Sequence, residues 1–146
     1  MTQSKYFRDK VPKPDDVVTF NEVSITHQQV NKVVVSFYTE VENDELLSGP
    51  FSKVANWDHH FEIMTNFWWA RMGGGNYIYY PYNPFQKHYE NGFNAELLSR
   101  WLELFKSALS KHLDESQIQA WLLLAEAIGN NLLSKNNDLI RMLNSK

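Results

Sequence analysis

Residues 57–75 read WDHHFEIMTNFWWARMGGG, and this stretch decides the fold. His60, Met64, Phe67 and Trp68 recur at i, i+4, i+7 and i+8, the spacing of one helical face, and Gly73, Gly74 and Gly75 stop the run. The segment predicts a helix from Asp58, whose carboxylate suits an N-cap, to about Arg71. Neighbouring residues on a helix are turned by about 100°, so His60 shares its face with the thioether and the two rings while His59 turns toward water.

Upstream, Thr26 followed three residues later by Gln29 is a capping-box signature. It opens a second periodic segment with Val30, Val33, Val34, Phe37, Tyr38 and Val41, which reads as helix in spite of the β-branched run Val33-Val34-Val35, and Gly49-Pro50 closes it. Downstream, residues 76–94 carry Pro81, Pro84, Gly92 and the tyrosine cluster 77–82, predicting an irregular segment with at most a turn or two of helix near Phe85 to Glu90. Ala95 to about His112 repeats Leu97, Leu98, Trp101, Leu102, Leu104, Phe105, Ala108 and Leu109 at helical spacing. Asp114 with Gln117 predicts another capping box, opening a fourth helix on Ile118, Trp121, Leu122, Leu124, Ala125 and Ile128 to about Leu133. Asn136-Asn137 is expected to break it, leaving a frayed turn at Leu139 to Leu143.

The first two dozen residues, with Pro12, Pro14 and the short β-prone run Val17 to Phe20, predict an extended arm. The plan is therefore an all-α domain over residues 25–134, an N-terminal arm over 1–24 and a C-terminal tail over 135–146. A length of 146 residues suits one such domain and one core.

Composition removes several functions. With 14 Lys and Arg against 17 Asp and Glu, the net charge of −3 and the lack of a basic stripe argue against nucleic acid as a partner. The absence of cysteine excludes disulfides, thiolate nucleophiles, iron–sulfur clusters and cysteine zinc sites, so a metal needs His, Asp, Glu or Tyr. No HExxH pair is present, and the glycine triplet lacks the Lys-Ser/Thr of a phosphate loop. No run is apolar enough for a signal-peptide core or a membrane span, so a cytoplasmic location away from membrane is expected. The aromatic share of 14% includes 5 Trp, four of them from Trp57 to Trp101, which calls for a large flat partner or an unusual core.

Five histidines remain as candidate ligands: His27, His59, His60, His88 and His112. Taken singly, His60 suits a satisfied core imidazole and His88 a surface histidine. Taken in order, Phe37-Tyr38, Phe51, Trp57 to His60, Phe67-Trp68, His88 and Trp101 to Phe105 resemble the truncated haemoglobins, most closely their group III branch, over Ile25 to about Leu133.

The resemblance implies a truncated two-on-two globin-like helical sandwich holding haem b, iron protoporphyrin IX, with His88 as the proximal iron ligand. It implies contacts to the haem from Phe51, His60, Met64, Phe67, Trp68 and Trp101, and a distal ligand-binding set of Tyr38, His60 and Trp101 around a diatomic gas: dioxygen, nitric oxide or carbon monoxide. In that family a tyrosine at the position of Tyr38 points its hydroxyl at the iron-bound ligand, and the indole of Trp101 can donate as well. His60 can donate, swing as a gate or bind iron itself, and Lys53, Arg71, Lys87 and the tyrosine cluster are candidates for the propionates.

Oxygen-binding proteins of this kind suggest a redox or detoxifying role, such as nitric oxide dioxygenase-like or peroxidase-like activity with a reductase as electron donor, rather than bulk transport. The rival reading is a haem-free all-α protein-interaction module whose aromatic stripe is only core and whose tyrosine-rich loop is a contact surface. A sensor signalling through its N-terminal arm is a third reading.

Overall fold

The computed structural model describes residues 11–48, 57–78 and 94–144, with side chains as far as residue 135. Two short strands, β1 (Val17–Phe20) and β2 (Val23–Thr26), precede four helices: α1 (His27–Glu42), α2 (Trp57–Arg71), α3 (Ala95–His112) and α4 (Glu115–Asn144). Among the described residues the fold is all-α apart from this hairpin and a single bridge residue, Ile78.

The expected extended arm is a hairpin over part of its length. β1 and β2 pair antiparallel with Phe20 opposite Val23 and Val17 opposite Thr26. Asn21 (φ 46°) and Glu22 (φ 68°) both adopt left-handed backbone, the requirement of a two-residue type I′ turn. Ile25, 1% exposed, fastens the hairpin to the core.

Three of the helices, α1, α3 and α4, start where the chain supplies a cap. The capping box of α1 is complete: Thr26 Oγ1 accepts from Gln29 N at 3.1 Å and Gln29 Oε1 accepts from Thr26 N at 3.0 Å. Asn94 Oδ1 accepts from Leu97 N at 2.9 Å to open α3. At α4, Asp114 Oδ1 accepts from Gln117 N at 2.8 Å and Gln117 Oε1 from Asp114 N at 3.1 Å. Gln117 also donates through Nε2 to Ser24 O at 2.8 Å and to Gln29 Oε1 at 3.3 Å, so the first turns of α1 and α4 are clasped beside β2.

Three helix boundaries differ from the sequence reading, the first being that α1 ends at Glu42 with Asn43 as its C-cap, ahead of Gly49-Pro50. α2 includes Trp57, so Asp58 lies inside its first turn, where a carboxylate opposes the positive end of the helix dipole instead of capping it. α4 continues through Asn136-Asn137 to Asn144, because asparagine costs a helix only a few tenths of a kcal/mol against alanine and does not break it.

α1 lies against α2 and α3, and α3 against α4. Val30, Val33, Val34, Phe37 and Val41 of α1 meet Trp68 and Trp69 of α2, Phe105, Ala108 and Leu109 of α3 and Trp121 of α4 in one buried cluster. Each fully buried large side chain contributes about 1.5–3 kcal/mol of transfer free energy. Arg100 of α3 donates to Asp44 Oδ1 from Nε (2.8 Å) and Nη2 (2.6 Å), tying α3 to the turn after α1. That guanidinium holds the Asp44 carboxyl below the usual carboxylate range. No helix among the described residues is long and apolar enough to cross a membrane.

Candidate functional site

The first half of α2 faces α1, and the side chains it presents there are an imidazole and rings. His60 stands edge-on to Tyr38 of α1, with ring centroids 4.7 Å apart and planes at 86°. Trp57, one turn earlier on α2, meets the same imidazole edge-on at 5.6 Å and Tyr38 at 6.1 Å. The three rings form one group, with Tyr38 only 3% exposed.

His60 Nε2 is buried and has no hydrogen-bond partner among the described residues. Desolvation pushes the imidazole down to about 4, and the neighbouring His59 adds to the effect. At neutral pH it is therefore an uncharged ring with one nitrogen uncommitted. Such a nitrogen can bind a metal centre or make a hydrogen bond to a guest, and leaving it unused costs roughly 1–3 kcal/mol.

A second aromatic group adjoins the first through Phe37. Its ring meets Tyr38 at 4.7 Å, Trp101 at 4.9 Å and Phe105 at 5.1 Å, each edge-on. Trp101 lies flat on Phe105 at 4.8 Å with planes 9° apart. Trp68 joins Trp101 (6.5 Å), Phe105 (5.5 Å), Trp121 (5.7 Å) and Phe67 (5.3 Å). Offset and edge-on pairs of this kind contribute about 0.5–1.5 kcal/mol beyond their buried area. Trp121 is wholly buried, and its Nε1 has no hydrogen-bond partner among the described residues.

Among the residues named from sequence, Tyr38 and His60 come together, and Phe67, Trp68 and Trp101 form a neighbouring group linked to them by Phe37. Met64 is buried at 5% exposure on α2 between the two groups in sequence. The described ring contacts of Trp101 are with Phe37, Trp68 and Phe105. His88, Phe51, Lys53, Lys87 and the tyrosines from Tyr79 onward lie outside the described residues. Arg71 sits over the Phe67 ring at 5.0 Å, and the Tyr77 hydroxyl is bonded to His27.

Trp57 was not among the residues singled out for the site. Placing the cap at Asp58 left Trp57 outside the helix, whereas inside it Trp57 and His60 are i, i+3 neighbours.

Four solved chains match this architecture. One is the group III truncated haemoglobin of Campylobacter jejuni, with a TM-score of 0.68 and 25% sequence identity over 75% of this chain and 90% of that one. The chain has the truncated haemoglobin fold. No family model matches the sequence, and no curated protein matches it either. In truncated globin terms, the paired α1 and α2 with their Tyr38–His60 contact and the paired α3 and α4 with their tryptophans are the two layers of the sandwich.

Proposed function

We propose that this chain binds haem b and, at its iron, dioxygen and related diatomic gases. The observation that carries the reading is the likeness of the whole described fold to a truncated haemoglobin. The residues fit the group: a haem is a broad apolar disc needing an axial nitrogen and a dry, ring-lined cavity, and His60 brings a buried, neutral, uncommitted nitrogen into such surroundings.

His88 is the proposed proximal ligand, with Phe51, Met64, Phe67 and Trp68 as apolar walls. When bound, the haem supplies an iron centre with an open coordination position for the gas. Tyr38, His60 and Trp101 are the proposed distal donors. Each O–H or N–H directed at a polar guest is worth on the order of 1 kcal/mol net, enough to slow its departure several-fold. The packed rings of Trp57, Phe37 and Trp68 keep water from those donors and so strengthen them.

Absorption spectra of the ferric, ferrous and carbon monoxide forms, for the parent and His88→Ala, test the reading. A haem spectrum in the parent that is lost or strongly altered in the variant is the expected result. A parent chain that takes up no haemin leaves a haem-free interaction module in its place. Within the haem reading the role is redox or detoxifying, directed at nitric oxide or peroxide, rather than bulk transport. Consumption of nitric oxide under air by the reduced protein no faster than in buffer refutes the nitric oxide part.

A further inference from the structure

A second polar pair, buried on its tyrosine side and half-buried on its histidine side, joins the start of α1 to the segment after α2. Tyr77, 4% exposed, places its hydroxyl oxygen 2.7 Å from His27 Nε2 at the start of α1. The two rings are 5.4 Å apart, and Trp69, itself 4% exposed, stands edge-on to His27 at 5.1 Å. Asn66 holds the Tyr77 backbone, its Oδ1 accepting from Tyr77 N at 2.9 Å while its Nδ2 donates to Asn76 Oδ1 at 3.1 Å.

We propose that Tyr77 and His27 are a proton-coupled redox pair, in which Tyr77 gives one electron to an oxidant as its hydroxyl proton passes to His27 Nε2. The phenol O–H bond breaks and an Nε2–H bond forms. The products are a neutral phenoxyl radical, an imidazolium and an oxidant reduced by one electron, and the reverse step needs one electron from a reductant.

The geometry suits this chemistry for three reasons. An oxidised phenol is a very strong acid, so a buried tyrosine is oxidised easily only when a base stands ready for its proton, and in the Nδ1–H tautomer of His27 the Nε2 atom, 2.7 Å away, is that base. Burial keeps His27 below the ordinary histidine range, leaving it neutral and able to accept, while the charge of nearby Asp16 favours the imidazolium once formed. Trp69 touches that base with a buried indole able to relay an electron, and the residue before it on α2, Trp68, meets Trp101 and Trp121 in the aromatic core.

Under the function proposed above, the oxidant is a peroxide, whose reduction to water takes one electron from Tyr77 and the other from an external reductant. Only this assignment of the oxidant rests on the haem reading.

The test uses the full chain and photogenerated tris(bipyridine)ruthenium(III) as oxidant, with freeze-quench electron paramagnetic resonance. The expected result is a tyrosyl signal that falls several-fold in Tyr77→Phe and in His27→Gln. In the parent alone, nuclear double resonance is expected to find an exchangeable proton on a nitrogen beside the radical oxygen, and the fall of the signal in His27→Gln, whose amide can keep a hydrogen bond but takes up no proton, separates proton transfer from a merely structural contact. A signal unchanged in Tyr77→Phe, or a radical with no such proton, overturns the proposal. Because ruthenium needs no haem, this outcome is independent of the absorption test.

Discussion

His60 shows how one buried ring sets a pH response. Its folded pKa is about 4, against about 6.5 when the chain is unfolded. Between these values the unfolded chain binds a proton that the folded chain refuses, so stability is complete above the unfolded value and is lost as pH falls toward the folded one. The loss amounts to roughly 3 kcal/mol. Urea unfolding of the haem-free chain from about pH 7 to 4 is expected to show a shallower decline for His60→Phe than for the parent, the difference isolating this ring from His27 and Asp44, which are also lowered. Parallel declines in the two proteins refute the assignment. Phe105, unexposed and ringed by Phe37, Trp68, Trp101 and Trp121, makes the plainer case. Phe105→Ala is expected to cost about 3–5 kcal/mol in the same unfolding measurement, since no neighbouring ring can fill the space without leaving its own contacts.

Among the elements, the end of α2 is the most exacting. Gly73 (φ 102°) takes left-handed backbone just beyond Arg71, and its N–H bonds to Ala70 O at 3.1 Å. At Gly74 a Cβ would run into the indole of Trp69. Gly74→Ala is therefore expected to destabilise by about 1–3 kcal/mol, read as a lower thermal midpoint, and to push Trp69 off His27. Wild-type stability in that variant contradicts this close approach. The glycine stop was legible in the sequence, as were both capping boxes, because each is a local pattern a few residues long. The hairpin was not: Asn21-Glu22 lacks the glycine that usually marks a two-residue turn, and strands of four residues offer too little alternation. The far end of α4 was misread because Asn136-Asn137 is a weak breaker when the residues on both sides continue the helix. Spacing alone put His60 on one face with Met64, Phe67 and Trp68, but it could not foresee that Trp57 and Tyr38 would be the rings against His60, since the contact with Tyr38 joins two helices.

At the scale of the whole molecule, a guest that binds only the folded chain must raise its stability by mass action. Haemin at a hundredfold excess over its dissociation constant adds about 2.7 kcal/mol, on the order of 5–10 °C in thermal midpoint for a domain of this size. The parent is expected to show that rise in a thermal scan with added haemin, and His88→Ala to show little of it. Equal rises in both would remove His88 from the proposed site. The four-helix plan was legible because helical periodicity is written into each segment, whereas the docking of one layer on the other is decided by contacts far apart in the chain.

One such contact is the clasp of Gln117, which reaches Ser24 across 93 positions and Gln29 across 88. A chain made from its N-terminus presents the hairpin and α1 long before the partner turn of α4 leaves the ribosome. During that interval the valine face of α1 has neither its clasp nor the helices that cover it. The half-made chain thus carries an uncovered, adhesive apolar face until the later helices follow it into the open.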